Sequence, residues 1–198
     1  AYDIVINEIM ADPSPPVELP EWEYIELFNT SDYPINLLNW KLSAGNSEYR
    51  FDKVIEIKPK DYLILCHEDA VGLFLVFGSS KGFNSFKVSN FGLDLALFDD
   101  KGLLISSVDF NASWHSTSYK EEGGWSLEQI DEENPCAGKP NWSSSISGAG
   151  GTPGKCNSIK RENVIPPKID YIFPLSNNTI TVQYNQNMNI ESVTENNN

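Results

Sequence analysis

Apolar residues in this chain come in short runs, each cut by a polar residue and closed by turn formers. Ile4–Met10 (IVINEIM) and Tyr24–Phe28 (YIELF) are the clearest, and each carries one carboxylate inside it, Glu8 and Glu26. Branched and aromatic residues dominate both, which suits a pleated surface. Apolar residues on both sides of Ile4–Met10 predict a strand buried on both faces. Between the two runs lies ADPSPPVELPE, with four prolines. Proline lacks an N–H and fixes φ, so this segment predicts an extended surface loop rather than a ladder or a helix.

The same reading continues along the chain. NTSDYP predicts a turn, and INLLNWKLS a third strand over 35–43 closed by AGNS. EYRF predicts a short fourth strand. VIEIKPKDYLILC predicts two β runs about a Lys-Pro-Lys-Asp turn. HEDAVGLFLVFG predicts a short helix ahead of Gly78. GSSKGFNSFKVSNFG reads as a loop with aromatic anchors. DLALFDDKGLLISSVDF is the strongest hairpin, with Gly102 where a positive φ is needed. WSLEQI predicts the last strand of the unit. Many short strands with frequent turns and almost no helical periodicity predict an all-β chain, an antiparallel β-sandwich. Trp40 and Trp125 are the expected centre of its core.

From Asp131 the pattern fades. DEENPCAGKPNWSSSISGAGGTPGKCNSI has little regular signal. Residues 160–167 read as a linker, and 168–198 hold two further strands about Ser-Asn-Asn. Two strands cannot bury a core alone. The expected organisation is therefore a domain over 1–159, a linker over 160–167, and in 168–198 either the start of a second β-domain or strands docked on the first.

Composition narrows the function classes. The 198 residues include 28 acidic and 14 basic side chains, a formal charge of −14. Such a chain repels phosphate backbones and anionic lipid surfaces, so nucleic acid is not an expected partner. No apolar run is long enough for a transmembrane helix. The chain opens at Ala1-Tyr2-Asp3 without a methionine, which fits a mature secreted product or a trimmed one. Cys66, inside YLILC, is expected to be a buried free thiol. Cys136 and Cys156 flank the stretch with the least apolar content. A disulfide between them would close a loop of about twenty residues and stabilise it by roughly 3 kcal/mol. It would also imply an oxidising compartment. The alternative is two unpaired surface thiols.

Three groups of residues are candidates for chemistry. The first is acidic: Glu8, Asp12, Glu18, Glu21, Glu23 and Glu26. If the first two strands pair antiparallel, Glu8 and Glu26 come close, and like charges across a ladder destabilise it unless answered. A Ca²⁺ ion held by Glu8, Asp12, Glu23 and Glu26 would answer them, as would Lys41, Arg50 or water. The spacing matches no EF-hand loop. A catalytic carboxylate pair is the third reading. The second group is His67 and His115, neither at metal-ligand spacing nor beside a nucleophile signature. The third is aromatic: Trp22, Tyr33, Phe83, Phe86, Phe91, Trp114 and Tyr119 sit in or beside loops, where they either close the ends of the core or contact a ligand. Trp22, next to the acidic loop, is the favoured ligand contact.

The order of these runs resembles the lamin tail domain. The resemblance rests on Ile6–Ile9, then Tyr24–Leu27 with Asn29, then Leu38, Trp40 and Leu42, with Asn39 where that family usually has glycine. YRFDKVIEIKPKDYLILC, the DLALFDDKGLLISSVDF hairpin and GGWSLEQIDEENPC…GGTPGKCNSI are similar to the extended form found in secreted proteins of Bacteroidetes-like bacteria. TITVQYNQNMN resembles the opening of a bacterial immunoglobulin-like domain. The resemblance implies an immunoglobulin-like sandwich that is not an enzyme and needs no cofactor. It would serve as a binding or positioning module of a secreted, periplasmic or cell-surface protein, acting in adhesion on an unknown protein or a surface glycan, with other domains on the same polypeptide. The alternatives are a Ca²⁺-dependent carbohydrate-binding module and an accessory domain of a secreted hydrolase.

Overall fold

The computed structural model describes residues 2–161, 168–176 and 178–184. In chain order the strands are β1 (Ile4–Met10), β2 (Tyr24–Asn29), β3 (Ile35–Asn36), β4 (Lys41–Ala44), β5 (Ser47–Arg50) and β6 (Glu56–Ile57). They continue with β7 (Tyr62–His67), β8 (Ser80–Phe83), β9 (Gly92–Phe98), β10 (Leu104–Asn111), β11 (Leu127–Gln129) and β12 (Trp142–Ser144). Two one-turn helices, α1 (Val71–Phe74) and α2 (Ser118–Glu121), sit in connections.

Six strands form one sheet in the order β12-β11-β1-β2-β7-β8, and four form a second in the order β10-β9-β4-β5. Pairing is antiparallel except for β7 with β8. The core lies between the sheets, where Ile4, Ile6, Ile9, Ile25 and Leu27 meet Leu42, Leu95, Leu97 and Phe110. The expected β-sandwich is the observed one.

β1 sits inside the larger sheet and is buried along its whole length, as its apolar pattern predicts. Its outer face is covered by a second cluster. Met10, Tyr24, Ile64 and Cys66 pack there with Leu19 of the proline-rich loop and with Ala70 and Phe74 of the short helical segment. A register shift between Ile6 and Glu8 interrupts the β1–β2 ladder. An extra residue at a bulge turns successive side chains to one side. Ile6 and Ile9 thus stay in the core, while Asn7 and Glu8 both reach the outer face.

Several sequence expectations need correction. The predicted strand 35–43 is two strands, β3 and β4, broken by a turn in which Asn39 has φ +66°. Asparagine tolerates that left-handed conformation better than most residues. β8 and β12 were expected as loop; both are short edge strands recruited by pairing rather than by apolar content. Trp40 and Trp125 are only half-buried. Phe51 and Phe110 fill the core instead, Tyr24 and Phe74 fill the outer cluster, and the buried tryptophan is Trp142.

The expected disulfide is not formed: Cys136 and Cys156 are exposed free thiols, and Cys66 is a buried one. Cys136 Sγ donates to Tyr2 Oη at 2.9 Å, whereas Cys156 lies against the carbonyl of its neighbour Asn157. The stretch is instead fixed by buried Asn141 and by the carboxylates described below. Asn141 Nδ2 donates to the Asp131 and Asn134 carbonyls, and its Oδ1 accepts from Asp131 N–H. Burial pushes the Cys66 thiol up to about 11. A thiol-reactive dye should therefore label two cysteines in the native chain and the third only after unfolding. Mass spectrometry without reductant should show no 136–156 link; a linked peptide would overturn this assignment.

Beyond the linker, of which 162–167 fall outside the described residues, β13 (Ile169–Ser176) and β14 (Thr179–Tyr184) pair with one another and with neither sheet. Every residue of β13 is exposed. The second-domain reading of 168–198 depends in part on 185–198, which also lie outside the described residues.

Candidate functional site

Antiparallel register places Glu8 directly across from Glu26 on one side and Glu128 on the other. Three carboxylates therefore form a row across β2, β1 and β11, and all three are completely buried. Among the described residues none is in an ion pair with lysine or arginine. Buried charge without a counter-charge is costly unless it is hydrogen-bonded.

Tyr24, Ser126 and Asn7 supply some of the donors, and the rest come from the glycine-rich segment 150–159, which lies over the outer face of the sheet as a strap. Glu8 Oε1 accepts from Tyr24 Oη at 2.7 Å, from Ser126 Oγ at 2.6 Å and from the Thr152 N–H at 2.7 Å. Glu26 accepts from Asn7 Nδ2 at 3.0 Å and from the Gly154 N–H at 2.5 Å. Glu128 accepts from Thr152 Oγ1 at 2.8 Å, from Ser158 Oγ at 2.8 Å and from the Ile159 N–H at 3.1 Å. Asn157 adds a further lock, donating to the carbonyls of Asn7 and Gln129. Gly151 is required by contact, because a Cβ there would stand 2.6 Å from Tyr24 Oη and 2.7 Å from Glu8 Oε1.

Electrostatics follow from this packing. Burial, then the charge of Glu128, pushes Glu8 up to about 7. Burial, then Glu8, pushes Glu26 well above the usual carboxylate range. Glu26 has the fewest donors of the three, so its charge is the least compensated. Thr152 has one hydroxyl proton, and the nearer acceptor is Glu128 at 2.8 Å rather than Glu8 Oε2 at 3.3 Å. Thr152 Oγ1 can then accept a proton carried on Glu8 Oε2. The row thus has a place for a proton in its own hydrogen-bond chain.

The four residues expected to hold Ca²⁺ are not brought together. Glu8 and Glu26 are sealed under the strap. Asp12 accepts from the Ser14 N–H in the proline-rich loop, and Glu23 accepts from the Val88 N–H at 2.8 Å. Among the described residues no three His, Cys, Asp or Glu side chains are grouped to hold a metal ion. Sequence reasoning missed Glu128, Tyr24, Ser126, Thr152 and Asn157. Glu128 carried only a faint signal: it is a carboxylate inside the predicted last strand, WSLEQI.

Neither histidine belongs to a catalytic set. His115 Nδ1 lies 2.9 Å from Ser144 Oγ, but that hydroxyl is buried and also accepts the Ser116 N–H. Burial, helped by Lys120, pulls His115 down to about 4, so it is neutral at pH 7. His67 stacks on Trp22, with ring centroids 5.2 Å apart and planes 23° from parallel. This pair, with Glu21, Glu23, Phe86 and Lys87, lines a cavity of about 280 Å³. Trp22 is half-buried, so the favoured contact residue sits in a cavity wall rather than free in solvent. Phe83 and Phe86 close the core, whereas Tyr33, Phe91 and Tyr119 are exposed.

The sandwich and the order of β1 to β10 match a known pattern. A family model of the lamin tail domain matches residues 1–112. The chain belongs to the lamin tail domain family. The fold is therefore immunoglobulin-like. A search of curated proteins returns no match to the chain. The family match ends shortly after β10, so Glu8 and Glu26 lie inside it, and Glu128 and the strap lie beyond it. In this lamin tail domain the two carboxylates inside the match are met by a segment that follows it.

Proposed function

We propose that this lamin tail domain is a non-catalytic binding and positioning module of a secreted or cell-surface protein, and that it makes its contact at the Trp22 end. The observation that carries this reading is the cavity where the stacked Trp22–His67 pair meets Glu23 beside the proline-rich loop. The three buried carboxylates are committed to holding the strap, which leaves no acid or base poised on a substrate among them. Domains of this immunoglobulin-like type are typically non-catalytic. Rigid sandwiches place their contacts in loops, and Trp22 and Glu23 sit where the proline-rich loop enters β2.

A partner protein on the cell surface fits the reading. Beads coated with the full chain should be retained on surfaces of cells that express it, with or without EDTA. Trp22→Ala should reduce that retention severalfold. Tyr33→Ala, an exposed change just past the other end of β2, should not. Equal retention of the two variants would sink the proposal, as would substrate turnover by the purified chain.

A further inference from the structure

The cavity beside Trp22 has a chemical character that selects its ligand. Glu23 is half-buried, and only one of its carboxylate oxygens, Oε2, is used: it accepts the Val88 N–H at 2.8 Å. Among the described residues no donor reaches Oε1. Desolvation raises the pKa of Glu23, so the ionised group is under-compensated where it stands. Lys87 shares the cavity rim but makes no ion pair with Glu23 among the described residues, and acts on it only through space. Glu21 lines the same cavity and is exposed.

The walls are aromatic: Trp22, His67 and Phe86. His67 Nδ1 lies 3.2 Å from the Asp69 N–H and 3.5 Å from an Asp69 carboxylate oxygen, so its polar edge is occupied by Asp69. An aromatic wall with a carboxylate at its floor suits a side chain with an apolar stem and a charged head. The formal charge of −14 steers cations toward the chain and anions away.

We propose that this cavity receives a single basic side chain, arginine in preference to lysine, from a partner protein, with the cationic head on Glu23 Oε1 and Glu21 and the stem along Trp22 and Phe86. The inference rests on the reading that the Trp22 end carries the contact, and it names the chemistry of that contact. Arginine fits better because its planar fork can bond two carboxylate oxygens at once and lie along an aromatic face.

The test is an NMR titration of the full chain, following the Trp22 indole N–H, which is assigned by Trp22→Phe. The probes are acetyl-Gly-Arg-Gly-amide, its citrulline analogue and maltotriose. The arginine peptide should give a saturable shift. Citrulline has nearly the same shape without the charge and should bind at least about tenfold more weakly, the factor expected for losing one charge-assisted contact. Glu23→Gln keeps an acceptor for the Val88 N–H, so the fold should hold while arginine affinity falls by about the same factor. Lys87→Ala should tighten arginine binding. Equal binding of citrulline, an unaffected Glu23→Gln variant, a shift with maltotriose alone or no shift with any probe would each overturn the inference. If cell-surface retention still depends on Trp22 while the arginine arm fails, only this inference falls. If that dependence is lost as well, the functional reading falls with it.

Discussion

Glu8→Ala should destabilise the chain by about 3–6 kcal/mol, because three buried donors lose their acceptor at once. Tyr24 Oη, Ser126 Oγ and the Thr152 N–H all converge on Glu8 Oε1. Each orphaned buried donor costs roughly 1–3 kcal/mol, and the vacated volume adds to that. A loss of this size is a large part of the 5–15 kcal/mol typical of a domain. Glu8→Gln should behave quite differently. Its carbonyl oxygen keeps the three donors, and its amide can donate to Thr152 Oγ1. It also removes one of three like charges from the row. Urea unfolding of both variants at pH 7.5 decides the matter. If Glu8→Ala shifts the midpoint no further than Glu8→Gln, the strap is not held by this carboxylate.

Stability should fall as pH rises, most steeply from about pH 6.5 upward. Glu8 and Glu26 both have folded pKa values raised above the unfolded 4.5, Glu8 to about 7. Each therefore binds more protons folded than unfolded. Their contribution is complete below about 4.5 and is lost as pH climbs through the folded values. For Glu8 alone this amounts to roughly 3 kcal/mol. His115 works in the opposite sense: its folded pKa is lowered from 6.5 to about 4, so its contribution is present above 6.5 and lost on the acid side. Between about pH 4.5 and 6.5 the histidine offsets one carboxylate. Above 6.5 the histidine no longer offsets the carboxylates, and the decline continues as Glu8 ionises through about 7. Denaturation midpoints at half-unit steps from pH 5 to 9 should trace this curve. Glu26→Gln should make the decline shallower, because it removes one of the two raised carboxylates. A midpoint that rises between pH 6.5 and 8 would contradict the assignment of raised pKa values to the row.

Both expectations concern residues that stood out in the sequence for a different reason. Glu8 and Glu26 were conspicuous as carboxylates inside apolar runs, and antiparallel pairing did bring them opposite one another. The answer to their charge was expected from a lysine, an arginine, water or a calcium ion. The structure meets it with the Tyr24 hydroxyl and the Asn7 amide, and above all with backbone N–H groups and hydroxyls of residues 126 and 152–159. Residues 152–159 have no periodic signal. Their segment is rich in Gly, Ser and Thr because it must pass against Glu8 and Tyr24 with no room for a Cβ at Gly151. The disulfide expectation failed for a related cause. It assumed that a stretch poor in apolar residues needs a covalent tie, whereas this one is held by hydrogen bonds to buried carboxylates.

The sequence by itself determined the all-β class, the limits of β1, the place of β2 and the β9–β10 hairpin, because apolar alternation and turn chemistry are local; the family came from the resemblance carried by the order of these runs. It also singled out Trp22 and the two inner carboxylates. Only the tertiary structure decided that β8 and β12 are strands, that β1 is covered on both faces, that Glu128 completes the row, and that the strap brings donors to it. These depend on which distant segments meet: Thr152 lies 144 positions from Glu8, and Asn157 lies 150 from Asn7. Contacts of that separation leave no periodicity in the chain, and sheet order and register alone bring them together.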